Sequence, residues 1–208
     1  MTQKLLNNYY YMKFDKNIIG LFPLRLFLLH KERTTLHIYE PKFLQLINDC
    51  IQYDAYFGIP FQSKTKLHEY GSVVKVIEIS KVYSNGEVDV VVECVQNFKL
   101  KRFEAQKEGK LYPGGAVYLL DNILITPNEE LIDLANSYNN LIFETEVSNS
   151  PYVNFSEIIS LLSLSHEEKL KLFKYNPIKK IQFLIHKLKY MSILVHQEKL
   201  VEHQYHLN

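Results

Sequence analysis

The stretch GSVVKVIEISKVYSNGEVDVVVEC, residues 71–94, constrains the fold more than any other. Val88, Val90, Val92 and Cys94 fall on one side of an alternating pattern and Asp89 and Glu93 on the other, as in a half-buried strand. Val91 shares the acidic side, so that face is not fully solvated. A β-branched run precedes this strand, and Ser84, Asn85, Gly86 and Glu87 lie between the two. Asn-Gly is a strong hairpin signal because the favoured two-residue turn needs positive φ at both positions. A β-hairpin is therefore expected at the centre of the chain.

AYFGIPFQ (55–62), NFKLKRFEAQ (97–106) and GAVYLLDN (115–122) are further strand candidates, punctuated by Gly71, Gly109, Pro113, Gly114 and Gly115. Short strands at this spacing predict a closed or partly closed barrel. One helix is inserted among them. It starts at Pro41, whose missing N–H is no loss at a first helical position, and its expected buried stripe is Phe43, Leu44, Leu46, Ile47 and Ile51.

After residue 122 the pattern turns helical. Three helix starts carry a side-chain oxygen followed three residues later by a Glu that can reach back: Thr126 with Glu129, Asn154 with Glu157, and Ser165 with Glu168. Asn176-Pro177 is a fourth. From there Ile178, Ile181, Ile185, Leu188, Met191 and Val195 recur every three or four residues, and a helix running to His203 would be roughly 40 Å long. The expected division is a barrel over 1–122 and a helical bundle over 123–208, an α+β chain.

Composition narrows the function classes. With 208 residues, 47% hydrophobic and 23% charged, the chain can bury a core without staples. Its formal charge of +1 gives no global attraction for nucleic acid or anionic lipid. Cys50 and Cys94 are the only cysteines, 44 positions apart with no His at metal-ligand spacing, which suits a reducing compartment. The N-terminal residues lack a signal-peptide apolar run, and Pro23 and Arg25 interrupt the most apolar stretch, so a cytoplasmic protein with no membrane span is expected.

Several chemistries lack their residues. Gly109-Lys110 is the only Gly-Lys pair, with Glu104 where a phosphate-binding loop needs its first Gly and Leu111 where it needs Ser or Thr. There is no Gly-x-Ser-x-Gly elbow and no His-Glu-x-x-His helix, and no cofactor is expected. His37 and Glu40 invite an acid–base reading, but residues three apart on a strand point to opposite faces, and Glu40 is better used capping the helix that starts at Pro41. His186 and His196 would stand about 15 Å apart along a helix, too far for one metal ion. His203 and His206 have workable spacing but sit in the last six residues, so no metal site is expected.

Lys99, Lys101 and Arg102, with Lys107 and Lys110 beyond and Phe98 and Phe103 interleaved, resemble a single-stranded nucleic-acid footprint; they also read as the wet face of a strand, diluted by Glu104 and Glu108. The lysines at 169, 171, 174, 179, 180, 187 and 189 read as a solvated helical face. Tyr9, Tyr10 and Tyr11 suit an interface, but they read first as an ordinary packed segment or a tail.

The order GLFPLRLFLL, LHIYEPKFLQLINDC, YFGIP, GSVVKVIEI and NGEVDVVVECVQNFKL resembles the N-terminal substrate-binding domain of Lon proteases in its small stand-alone form, from about Leu21 to Leu100, and LLSLSHEEKLKLF is similar to the first segment of that family's helical bundle. The resemblance implies a PUA-like β-barrel with an inserted helix, followed by helices ending in a long one. It implies capture of unfolded or tagged polypeptide, the role this region has in full-length Lon, where an ATPase motor and a Ser-Lys peptidase follow; neither fits here, and the name protease does not carry over. Phe22, Pro23 and Leu24 match the opening strand; His37, Ile38, Tyr39, Glu40, Pro41 and Phe43 match the corner before the helix. Gly58, Gly71 and Phe98 match three further motif positions, all read as architectural. His30-Lys31-Glu32 stands where the family turns with Pro-Gly, and Asn97 where a basic residue is common.

The expected function is thus a non-enzymatic module that binds unfolded or extended polypeptide on an apolar patch, with Phe22, Phe27, Tyr39, Phe61, Tyr112 and Tyr118 as candidates, three or more of which should prove to be core. The alternatives are RNA binding through Lys99, Lys101 and Arg102, and a scaffold whose last helix docks a separate protease or chaperone subunit. The ligand and the oligomeric state are not encoded in any motif.

Overall fold

The computed structural model describes residues 18–120, 125–143 and 155–205. The tyrosines at 9–11, the helix-start residue Asn154, and His206 lie outside them. The chain divides into two compact units, Met1–Asn122 and Ile123–Asn208.

In the first unit the strands are β1 (Ile18–Leu21), β2 (Arg33–Ile38), β3 (Phe57–Gln62), β4 (Leu67–Val82), β5 (Val88–Glu104) and β6 (Gly114–Leu120), with helix α1 (Pro41–Gln52) between β2 and β3. They form one mixed sheet in the order β2-β5-β4-β3-β1-β6, and β5 also pairs with β6. The β5–β6 pairing closes β4, β3, β1, β6 and β5 into a five-stranded ring. The other half of the long hairpin leaves that ring as an arm, in which β5 carries β2 on its free side, Arg33 opposite Glu93 through Ile38 opposite Val88.

The two stretches expected as separate strands, 88–94 and 97–106, are one 17-residue strand. It continues because its partners change along its length: β2 covers its first part, β6 covers residues from Asn97 to Glu104, and β4 runs beside it from Tyr70 to Val82. Three register shifts along β4–β5 supply the bending that a strand shared by ring and arm requires. The turn also differs from expectation. Gly86 has φ +88°, but Asn85 is not among the residues with positive φ, and the Gly86 N–H bonds to the Tyr83 carbonyl at 3.0 Å. This is a three-residue turn ending in a left-handed Gly, the second commonest hairpin solution.

Helix α1 buries Phe43, Leu46, Ile47 and Cys50. Ile51, expected in that stripe, is 47% exposed, because Cys50 completes the 3–4 spacing and Ile51 falls one step round the helix. Their core extends through Phe22, Leu26, Leu28, Leu36, Ile38, Phe57, Ile59, Val74, Val90, Val92, Cys94 and Tyr112. A second cluster gathers Ile19, Leu21, Val73, Phe98 and Val117 from four ring strands. Gly71 lies opposite Phe98, and a Cβ there would collide with the Phe98 ring and the Ile59 carbonyl oxygen, which is the physical reason the two motif residues go together.

The second unit holds α2 (Glu129–Phe143), α3 (Phe155–Leu161), α4 (His166–Lys174) and the 29-residue α5 (Pro177–Tyr205). Ser165 and Glu168 form the expected capping box, and Asn176 accepts from the Lys179 N–H at 2.9 Å. Thr126 does not start α2: Asn128 stands directly before the helix and accepts from the Leu131 N–H at 3.1 Å, three residues on. Leu184 and Leu188 of α5 are fully buried, and Lys187 and Lys189 pair with Glu168 and Glu130. Among the described residues no helix is long and apolar enough to cross a membrane.

Candidate functional site

Where β4 leaves the ring, its two edges part company. β3 pairs with β4 from Leu67 to Val74, and residues 75–82 pair with β5 alone, so the other edge of that segment faces no strand among those described. The end of α1 and the turn into β3 lie beside it. Together they bound an open cleft of about 230 Å³ lined by Cys50, Ile51, Asp54, Ala55, Lys75, Val76, Ile77, Glu78 and Ile79. Ile51, Ile77 and Ile79 are each more than two-fifths exposed. Lys75 crosses the cleft to Asp54 at 2.8 Å and lies 5.9 Å from the Tyr56 ring centroid. Cys50 lines the floor, where burial pushes its thiol up to about 12, so it presents no thiolate at neutral pH. Backbone hydrogen-bonding groups beside exposed isoleucines can hold an extended chain.

Of the six aromatics expected to form the binding patch, four do not reach the surface. Phe27 and Phe61 are fully buried, Phe22 stacks on Phe43 with ring centroids 3.7 Å apart, and Tyr112, in the β5–β6 loop, is buried with its hydroxyl on Asp49 at 2.7 Å. Phe22 and Tyr112 belong to the core that α1 covers, where large flat rings fill volume. Tyr39 and Tyr118 are exposed but not neighbours by structure: Tyr39 follows β2 with its ring 5.9 Å from that of His37, and Tyr118 on β6 sits opposite Lys99. The isoleucines of the cleft were missed because Ile77 and Ile79 read as ordinary strand residues, and only the loss of β3 as a neighbour exposes them.

Lys99, Lys101 and Arg102 are all exposed on β5, yet their charges are engaged locally. Lys99 pairs with Glu69 at 3.3 Å, Arg102 with Glu104 at 2.6 Å, and Lys101 lies over the Tyr118 ring, 3.2 Å from its centroid. Asn97 is buried, and its amide donates to the Leu28 carbonyl at 2.8 Å; Ser72 Oγ accepts from the Leu28 N–H and donates to the same carbonyl. The residue in place of a basic one thus ties the 22–32 segment to the barrel.

His37 and Glu40 do not form an acid–base pair. His37 bonds Asp89, directly opposite on β5, through Nδ1 at 2.7 Å, and its Nε2 faces Glu87 at 3.1 Å. The Asp89 hydrogen bond raises His37 above the ordinary histidine range and holds Asp89 below the usual carboxylate range. Glu40 occupies the position before α1 but makes no side-chain cap; Lys42 draws its carboxylate away at 2.8 Å. On the other side of α1, burial alone would push Asp49 up, but hydrogen bonds from Lys110 and Tyr112 hold it down, and Gln45 accepts from the Leu111 N–H. Phe43 and Phe98 are buried, a Cβ at Gly58 or Gly71 would meet neighbouring side chains closer than 3 Å, and Pro41 is the first residue of α1. Among the described residues no group of three His, Cys, Asp or Glu is placed to hold a metal ion.

A mixed ring of this kind with an inserted helix and a terminal long helix is shared with known structures. The Lon N-terminal domain protein from Xanthomonas campestris superposes with a TM-score of 0.63 at 20% identity, covering 81% of this chain and 97% of that one. The N-terminal domain of the Mycobacterium avium complex Lon protease does so at 0.59 with 10% identity, covering 83% and 98%. At such identities these likenesses speak for the fold. No curated protein matches the chain. The model of the ATP-dependent protease La (LON) substrate-binding domain matches residues 20–189, most of the length, and the chain belongs to that family.

Proposed function

We propose that the chain is a non-catalytic polypeptide-binding module and that extended polypeptide adds to the free edge of β4. The observation that carries this reading is the coincidence of that edge, which over residues 76–82 faces no strand among the described residues, with the cleft and its exposed Ile51, Ile77 and Ile79. An added strand finds main-chain hydrogen bonds along the edge, while every second side chain of the ligand meets the isoleucines. Membership in a family described by substrate binding supports the same reading. Lys75 and Lys81 and the register shifts near Val76 and Ile79 discourage indiscriminate pairing of two such edges, so the site favours a flexible ligand over another preformed sheet.

The test is fluorescence anisotropy with a permanently unfolded polypeptide. Replacing Ile77 and Ile79 together by Ser is expected to weaken binding about tenfold, or ~1.4 kcal/mol, with little dependence on salt. Replacing Lys99 and Lys101 by Ala should leave it unchanged. Unaltered binding by the isoleucine variant would remove the cleft from consideration. Tight binding of single-stranded RNA that collapses with added salt would instead favour the strand carrying Lys99, Lys101 and Arg102. Loss of binding to a protease or chaperone subunit on truncation before Asn176 would favour the scaffold role.

A further inference from the structure

We propose that His37 is a proton-operated tie between β2 and the β4–β5 turn, fastened when the imidazole carries both protons and released at the turn when it carries one. The argument is geometric. Each ring nitrogen faces a carboxylate, Nδ1 toward Asp89 Oδ1 at 2.7 Å and Nε2 toward Glu87 Oε2 at 3.1 Å. An ionised carboxylate only accepts hydrogen bonds, and a neutral imidazole has a single N–H, so both contacts hold together only in the imidazolium.

The groups around the ring set which contact yields. From the end of β4, Tyr83 donates its hydroxyl to Asp89 Oδ2 at 2.8 Å and presents its ring edge-on to His37, with centroids 5.4 Å apart. Lys81 lies 4.3 Å from the Tyr83 ring centroid and, as the nearby cation, favours the ionised form of Asp89. From the stretch after β2 come the Tyr39 ring and the Glu40–Lys42 pair. The short Nδ1 contact is reinforced by strand pairing, His37 opposite Asp89, whereas Glu87 belongs to the turn and is held by fewer bonds. Loss of one proton therefore leaves the rung to Asp89 intact and frees Glu87. Ile38 opposite Val88 is the last rung of β2 before the chain turns into α1, so the tie governs how firmly the hairpin tip is fixed to that corner.

The experiment is an NMR titration of the full chain from pH 5.5 to 8.5, with the His37 signal assigned by its absence in His37→Gln. The expected midpoint lies above the ordinary value of about 6.5. Across it, exchange of the Gly86 and Glu87 amides, corrected for its intrinsic pH dependence, should speed up about threefold. Glu87→Gln should lower the midpoint, and His37→Gln should abolish the step in exchange. A midpoint at or below the ordinary value, or a step that persists in His37→Gln, would overturn the proposal.

Discussion

Lys180 shows what one side chain can cost. It lies on α5 with only 2% of its surface exposed, 5.7 Å from the Phe173 ring centroid, and burial brings its ammonium down to about 8. Folding therefore carries a penalty whenever the unfolded lysine and the folded one are both charged, which is the case at pH 7. Between pH 8 and the unfolded value near 10.5 the unfolded chain binds more protons, so the penalty fades as pH rises through that window. Lys180→Met is expected to raise stability at pH 7 by about 1–3 kcal/mol, with the gain shrinking above pH 8. Urea unfolding of both proteins at pH 7 and pH 9.5 checks this, and an equal gain at both pH values would refute it. Nothing in the sequence set Lys180 apart from the other lysines nearby, because its burial depends on which side of α5 meets the rest of the second unit. The same limit applies to the aromatics: Phe27 and Phe61 are chemically as suited to a surface as Tyr39, and only packing decides between them.

At the scale of elements, local chemistry was legible wherever a turn or cap was decided by its own residues. The Pro41 helix start, the Ser165 capping box and the Asn176 cap are all written in adjacent side chains. What was not legible is what depends on remote partners: β5 runs as one strand because β2 and β6 take over from one another along it, and Val95 and Gln96 carry no mark of that. The turn from Leu29 to Glu32 is an intermediate case. Lys31 there has φ +68°, and its N–H bonds to the Cys94 carbonyl at 2.7 Å. A positive φ at the third of four turn residues is where Gly is preferred, with Pro before it, so His30-Lys31 holds a turn geometry that Pro-Gly would also suit. Lys31→Gly keeps the N–H and removes the strain of a left-handed side-chain residue. It is expected to stabilise by about 0.5–1 kcal/mol, seen as a higher midpoint in thermal unfolding; a lower midpoint would mean that the Lys31 side chain matters more than its backbone.

At the scale of the molecule, the division at residue 122 coincides with the change from strand to helix patterning, and each unit has its own buried cluster. Residues 1–122 expressed alone should give a dispersed NMR spectrum and a single cooperative unfolding transition in urea. A collapsed, uncooperative fragment would show that the helices complete the barrel's core. The ring itself has a mechanical consequence. Were a strand to add along the arm edge of β4 as proposed, tension along it would run parallel to the ladder, and the rungs would share the load instead of opening in sequence. A strand held in this way resists sliding while still allowing it to be peeled away from one end, an asymmetry that would suit the polypeptide binding proposed above.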